Sequence, residues 1–172
     1  MLLGYLFTFI NYALYCASRF CKKKTSMLIL DLIAKIAFMT ALYFLGSLSG
    51  AYSMFVNFIY LIFATIKEKK GYRWPVPFAI FQALLIWIVF SNFEGFSTIL
   101  IFASISLNLI AVWWFKPQMM RASGLIVNAL TLFYQLSIRN WAGLCELFVI
   151  ASNAISYTKY RKEEKAATHE SA

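Results

Sequence analysis

Arg19-Phe20-Cys21-Lys22-Lys23-Lys24 separates one long apolar run from the next, and a basic interruption of this kind returns after every second run. Working outward from it, apolar stretches occupy residues 2–20, 26–45, 50–66, 76–91, 96–115, 122–138 and 141–158. Lys67, Lys69, Lys70 and Arg73 follow the third stretch, Lys116 and Arg121 the fifth, and Lys159, Arg161, Lys162 and Lys165 the seventh. Fourteen of the sixteen basic residues therefore sit in alternate gaps. Seven crossings of a bilayer put all four basic segments on one face and leave Arg139 alone on the other. Short cytoplasmic loops are enriched in Lys and Arg, so the N-terminus is expected outside and the C-terminus in the cytoplasm. The expected fold class is an all-α integral membrane protein with seven transmembrane helices.

Composition agrees with that reading. The chain is 62% apolar and 13% charged, against about 25% charged residues in a soluble domain. Crossing the hydrocarbon layer takes about 20 residues, or about 17 at the short end. The fourth stretch is the shortest and ends in polar Ser91, Asn92 and Glu94. The first has its basic residues after it instead of before it, the reverse of a secretory signal, and is expected to remain as a membrane helix. The net charge of +9 hugs helix ends without forming one patch interleaved with aromatics, so no nucleic-acid partner is expected. Those residues are expected to orient the chain and touch anionic headgroups of the lipid bilayer, each contributing about 1 kcal/mol. Trp74, Trp113, Trp114 and Trp141 fall near helix ends, where an interfacial aromatic belt would place them.

Residue types also narrow the chemistry. Cys16, Cys21 and Cys145 have no paired spacing, and His169 falls in a polar tail expected to be disordered. No metal site, cofactor or histidine-based catalysis is expected, and the chain does not read as an enzyme. Gly46-Ser47-Leu48-Ser49-Gly50 reads as a tight external turn; no strand precedes it as a phosphate-cradling loop requires.

A shift of 97 positions lays Asn11 on Asn108, Arg19 on Lys116, Ser26 on Ser123, Asp31 on Asn128 and Gly46 on Gly143, and a shift of 96 lays Asn57 on Asn153. Polar residues inside apolar runs are rare, so their coincidence near one offset points to a repeat: spans one to three recur as five to seven, with the fourth as connector. Two units of the same orientation would be related by an axis along the membrane normal, an arrangement found in some transporters. The expected division is a first three-helix unit at 1–70, a linker helix at 71–95, a second unit at 96–160 and a tail at 161–172.

Three plus one plus three helices resembles the sugar-transporting SWEET and PQ-loop group. Within it the chain looks most like the YgjV-type bacterial inner membrane proteins. The residues that carry the likeness are Asn140-Trp141-Ala142-Gly143 and Asn153 in the second half, and Leu45-Gly46, Asn57 and the basic stretch from Arg19 to Lys24 in the first. Lys116-Pro117-Gln118 echoes the Pro-Gln pair in the second unit alone, because Phe20-Cys21 stands at its counterpart. The resemblance implies a bacterial inner membrane location and a solute site between the units, with Asn57 and Asn153 as its hydrogen-bonders. Single-unit relatives pair to make a pore, whereas two units in one chain can act as a monomer; a homodimer is the other arrangement. SWEET proteins carry prolines inside core helices, while Pro75, Pro77 and Pro117 all fall at span ends here, so a proline hinge does not carry over.

Several polar residues then compete for roles. Asn amides offer two donors and an acceptor, suited to a neutral polyhydroxylated or amide-bearing solute. The plainer role for Asn57 and Asn153 is to join helices, worth about 0.6–2 kcal/mol, and Asn11, Asn108 and Asn128 read as helix joiners of this kind. Gln82 and Gln135 are expected to be satisfied by neighbouring helices. Asp31 and Lys35 lie four positions apart on one helix face, so mutual neutralisation accounts for them; the alternative is a pore or relay role. Glu146 near the outer end of the last span is expected to reach interfacial water or Arg139, with an ion-coupling or substrate role as its alternative. The leading functional expectation is a small-solute transporter or facilitator for a neutral solute. A non-transporting scaffold or accessory subunit is second, and an intramembrane enzyme third.

Overall fold

The computed structural model describes the backbone of residues 2–46, 48–71, 75–91, 93 and 95–170, and their side chains apart from 48–50 and 164–170. Each of the seven apolar stretches becomes an α-helix: α1 (Leu2–Arg19), α2 (Lys24–Phe44), α3 (Leu48–Lys70), α4 (Val76–Ser91), α5 (Phe96–Trp114), α6 (Pro117–Ser137) and α7 (Glu146–Glu170). A short 3-10 helix, Trp141–Cys145, precedes α7. Arg73, Trp74, Asn92 and Glu94 lie outside the described residues, as does Ser47 of the expected turn; Leu48 to Gly50 already belong to α3. The tail expected to be disordered continues α7 as far as Glu170.

Helix boundaries follow local chemistry. Pro117 opens α6, where its missing N–H has no helical partner to lose. Gly46, with φ +81°, follows α2 in the left-handed conformation that ends helices without a Cβ penalty. By length and hydropathy α2 and α5 are apolar enough to cross a bilayer unaided, with mean hydropathy 1.9 and 2.0. The 16-residue α4 is apolar but shorter. The other helices carry inward-facing polar groups, such as Asn11, Ser18 and Arg19 in α1, that dilute their hydropathy.

Packing closes the helices into a ring: α1 against α2, α2 against α3, α3 against α5, α5 against α6, α6 against α7, and α7 back against α1, while α4 packs on both α3 and α5. Tyr60 of α3 donates its hydroxyl to the carbonyl of Leu109 in α5 at 2.7 Å, with Phe81 of α4 edge-on to its ring. Gln82 of α4 donates to Ser106 of α5 at 2.8 Å. Trp113 is buried under Tyr60 and Lys67, so it belongs to the core, not to an interfacial belt; Trp114 and Trp141 do face outward.

Long-range contacts gather the basic segments at one end of the ring. Arg121 at the start of α6 donates to the carbonyls of Arg19 and Cys21 at 3.0 and 2.6 Å. Tyr160 of α7 donates to the carbonyl of Phe20 at 2.5 Å, and Lys22 pairs with Glu163 at 3.0 Å. Lys24 pairs with Glu68 at 3.2 Å, and Lys67 donates to the carbonyl of Trp113. The C-terminal ends of α1, α3 and α5 and the Tyr160 to Glu163 turn of α7 are thereby brought together. Arg19 and Arg121 are buried, each with its guanidinium over a tyrosine ring (Tyr15 and Tyr160), so these two act inside the fold and not as loop charges.

Candidate functional site

Large apolar side chains cover the outside of the ring, and a set of polar ones lies within its otherwise apolar core. Phe9, Ile33, Phe55, Ile99, Phe133 and Phe148 point outward from six different helices. Buried inside are Asn11, Asp31, Asn57, Asn128, Gln135 and Asn153. Serine and threonine hydroxyls in these helices largely satisfy themselves on the carbonyl one turn back, as Thr8 does on Gly4 at 2.9 Å and Thr131 on Val127 at 2.9 Å. An asparagine amide presents two donors and an acceptor, which no single carbonyl can satisfy.

Four amides meet at a cavity of about 30 Å³ in the middle of the ring: Asn11 from α1, Asn57 from α3, Asn108 from α5 and Asn128 from α6. Ser104 and Thr131 join them, bonded to each other at 2.7 Å. Tyr15, Lys35 of α2 and Glu146 at the start of α7 complete the polar lining. Every helix of the ring contributes, and α4 contributes nothing. Buried polar atoms are normally paired. Here Asn57 Oδ1, Asn128 Nδ2 and Glu146 Oε2 are buried without a hydrogen-bond partner. Three residues of the lining therefore carry hydrogen-bonding capacity that the rest of the described residues do not fill.

The family described as "bacterial inner membrane protein" (Imp-YgjV) matches residues 2–164, nearly the whole chain. The chain belongs to that family. No curated protein and no solved structure matches it. Outward phenylalanines and isoleucines with polar groups inside are the arrangement that a lipid surround favours.

The expected site residues are only partly brought together in this inner membrane protein. Asn57, Lys35 and Glu146 share the cavity. Asn153 is fully buried but lies outside the lining, its amide against Gly124 of α6, where both Oδ1 and Nδ2 lack partners. Asp31 is not in the lining either, and its partner is not Lys35: it pairs with Arg19 of α1 and accepts from Ser18 at 2.5 Å. The i,i+4 spacing placed Asp31 and Lys35 on one face, but the α1–α2 hairpin brings a guanidinium closer. Lys35 rests on Met54 Sδ at 4.0 Å and on the ring faces of Tyr15 and Phe38. Glu146 is buried beside Tyr12 in the ring, not at an outer interface.

Gln135 departs from the expected helix-to-helix satisfaction as well. Its Oε1 accepts from Asn140 at 2.8 Å, within the corner joining α6 to α7, while its Nε2 has no partner. Asn11, Asn108 and Asn128 read in sequence as helix joiners, yet all three reach the cavity. The 97-residue offset relating Asn11 to Asn108 was the available signal. Tyr15, Ser104 and Thr131 gave none, since which face of an apolar helix turns inward is decided by its neighbours.

Proposed function

We propose that this inner membrane protein crosses the bilayer seven times in a three-plus-one-plus-three, SWEET-like arrangement and transports or facilitates passage of a small neutral polar solute bound between α1–α3 and α5–α7. The observation that carries the reading is the cavity at the centre of the ring, where amides from both triplets converge and Asn57 Oδ1 and Asn128 Nδ2 have no partner. A helix joiner would spend its amide on the neighbouring helix. Contacts α1 to α2 to α3 and α5 to α6 to α7, with α4 bridging α3 and α5, support two units and a connector. The basic segments at one end support an external N-terminus and a cytoplasmic C-terminus.

A cavity of about 30 Å³ has room for about two ordered waters, well below the roughly 300 Å³ of a small-ligand pocket. In this reading the conformation is too tight for the solute, which enters when the two triplets part. The same tightness favours one other reading, a non-transporting scaffold or accessory subunit.

Thermal unfolding of the purified protein against a panel of neutral sugars, nucleosides, vitamins and amino acids separates the two. A bound solute at about 100 times its Kd adds about 2.7 kcal/mol of stability. Asn57→Leu is expected to abolish that gain while remaining folded, and Asn153→Leu to preserve most of it. Full stabilisation of Asn57→Leu removes that residue from the site. No stabilisation by any compound, together with a stoichiometric protein partner on purification, establishes the scaffold instead. Topology has its own test: a C-terminal fluorescent reporter that folds only in the cytoplasm is expected to shine, and a dark reporter with an active periplasmic phosphatase fusion reverses the orientation.

A further inference from the structure

Two ionisable side chains of opposite charge type line the central cavity without pairing. Lys35 enters from α2 and Glu146 from the first turn of α7. Neither takes part in an ion pair among the described residues. Glu146 is 5% exposed and its Oε2 has no hydrogen-bond partner. The Lys35 ammonium has a thioether sulfur and two ring faces around it, and the nearby acid Asp31 is held by Arg19. Charges withdrawn from water are costly unless a counter-charge with good geometry is supplied. Here each still has that capacity open.

We infer that the cavity is built for a small zwitterion of the α-amino-acid class, with its carboxylate toward Lys35 and its ammonium toward Glu146. This rests on the solute-binding reading above and names its substrate class. Elimination by charge leads to it. A simple cation entering the cavity would be repelled by Lys35, and a simple anion by Glu146. An uncharged sugar would displace water from both charges and return neither a positive nor a negative partner. A zwitterion satisfies both and adds no net charge to the membrane interior. Its two charges are held one carbon apart, which suits a narrow space spanned by one basic and one acidic side chain. The amides of Asn57 and Asn128 remain for the rest of the ligand. Even glycine exceeds the space for about two waters in this conformation, so the ligand enters as the triplets part. The shortest side chains, those of glycine, alanine and serine, need the least parting.

The test uses the full chain in detergent or nanodiscs. Thermal unfolding is followed with glycine, L-alanine and L-serine, with glycinamide as the cation alone, acetate as the anion alone, and glycerol and glucose as uncharged solutes. Saturable stabilisation by the zwitterions, with single-charge and uncharged compounds inert, is the expected result. Lys35→Met and Glu146→Gln are each expected to weaken zwitterion binding at least about tenfold, the loss that follows when one partner of a desolvated charge pair is truncated. Should a variant fail to fold, the wild-type panel alone still decides. Stabilisation by glucose or glycerol but not by zwitterions overturns this inference and leaves the solute-binding reading standing. Equal stabilisation by glycinamide or acetate also overturns it. A panel in which nothing stabilises the protein overturns both.

Discussion

Asp31→Ala is expected to lower stability by about 3–5 kcal/mol, because it strands the guanidinium of Arg19 inside the fold. Arg19 is 3% exposed, donates Nε to Ser18 Oγ at 3.0 Å, stacks over Tyr15 and relies on Asp31 for its charge. Removing the carboxylate leaves a cation that neither retracts to water nor neutralises itself, since guanidinium does not lose its proton in proteins. Lys35→Met is expected to cost little by comparison: methionine fills the same volume beside Met54, Tyr15 and Phe38, and no ion pair of Lys35 is broken. The double variant Arg19→Met/Asp31→Leu is expected to recover most of what Asp31→Ala loses, as buried pairs replaced by apolar groups of similar size often do. Unfolding of the four proteins in one detergent measures this. If Lys35→Met proves as damaging as Asp31→Ala, then Lys35, and not Arg19, is the working partner of Asp31.

That comparison also marks where sequence reading stops. The alternation of apolar runs and basic gaps delimits α1 to α6 to within a few residues, because lipid and water impose opposite demands at each boundary, whereas α7 starts later than expected and runs on through the polar tail. The approach of Asp31 and Lys35 is visible too, being local to one helix. Arg19 reaching Asp31 is not, since it depends on how α1 turns relative to α2. Trp113 and Trp114 make the same point side by side. Both end α5, but one is 3% and the other 55% exposed, and only the position of Tyr60 and Lys67 decides between them. For the site, sequence reading points to Asn57 and Asn153 and takes Asn11, Asn108 and Asn128 for helix joiners. Convergence of Asn11, Asn57, Asn108 and Asn128 on one space, with Asn153 turned aside onto Gly124, required the ring.

Gly143→Ala is the other substitution of large expected effect, and its cause is purely steric. Asn140-Trp141-Ala142-Gly143 forms the corner between α6 and α7. Arg139 takes the left-handed conformation with φ +57°. Asn140 donates its backbone N–H to the carbonyl of Gln135 at 2.9 Å and its side-chain amide to Gln135 Oε1 at 2.8 Å, and the Gly143 N–H returns to the Asn140 carbonyl at 2.9 Å. The chain folds back so tightly that a Cβ on Gly143 would overlap the Cβ of Gln135 and lie 3.0 Å from its Cγ. Gln135 is fully buried, and its Cβ is fixed to the backbone, so no change of rotamer relieves the overlap. The corner itself has to open, at a cost toward the upper end of the about 1–3 kcal/mol typical of overpacking. Glu146 stands three residues further on, so an opened corner also displaces it from the cavity. Gly143→Ala is therefore expected to lower both stability and solute binding. Gly124→Ala meets only the far end of Asn153, at 3.0 Å, and is expected to be milder. Unfolding and ligand titration of the two variants side by side check the order. An unperturbed Gly143→Ala protein would mean that the α6–α7 corner is looser than drawn and that Glu146 is positioned by something other than its fold.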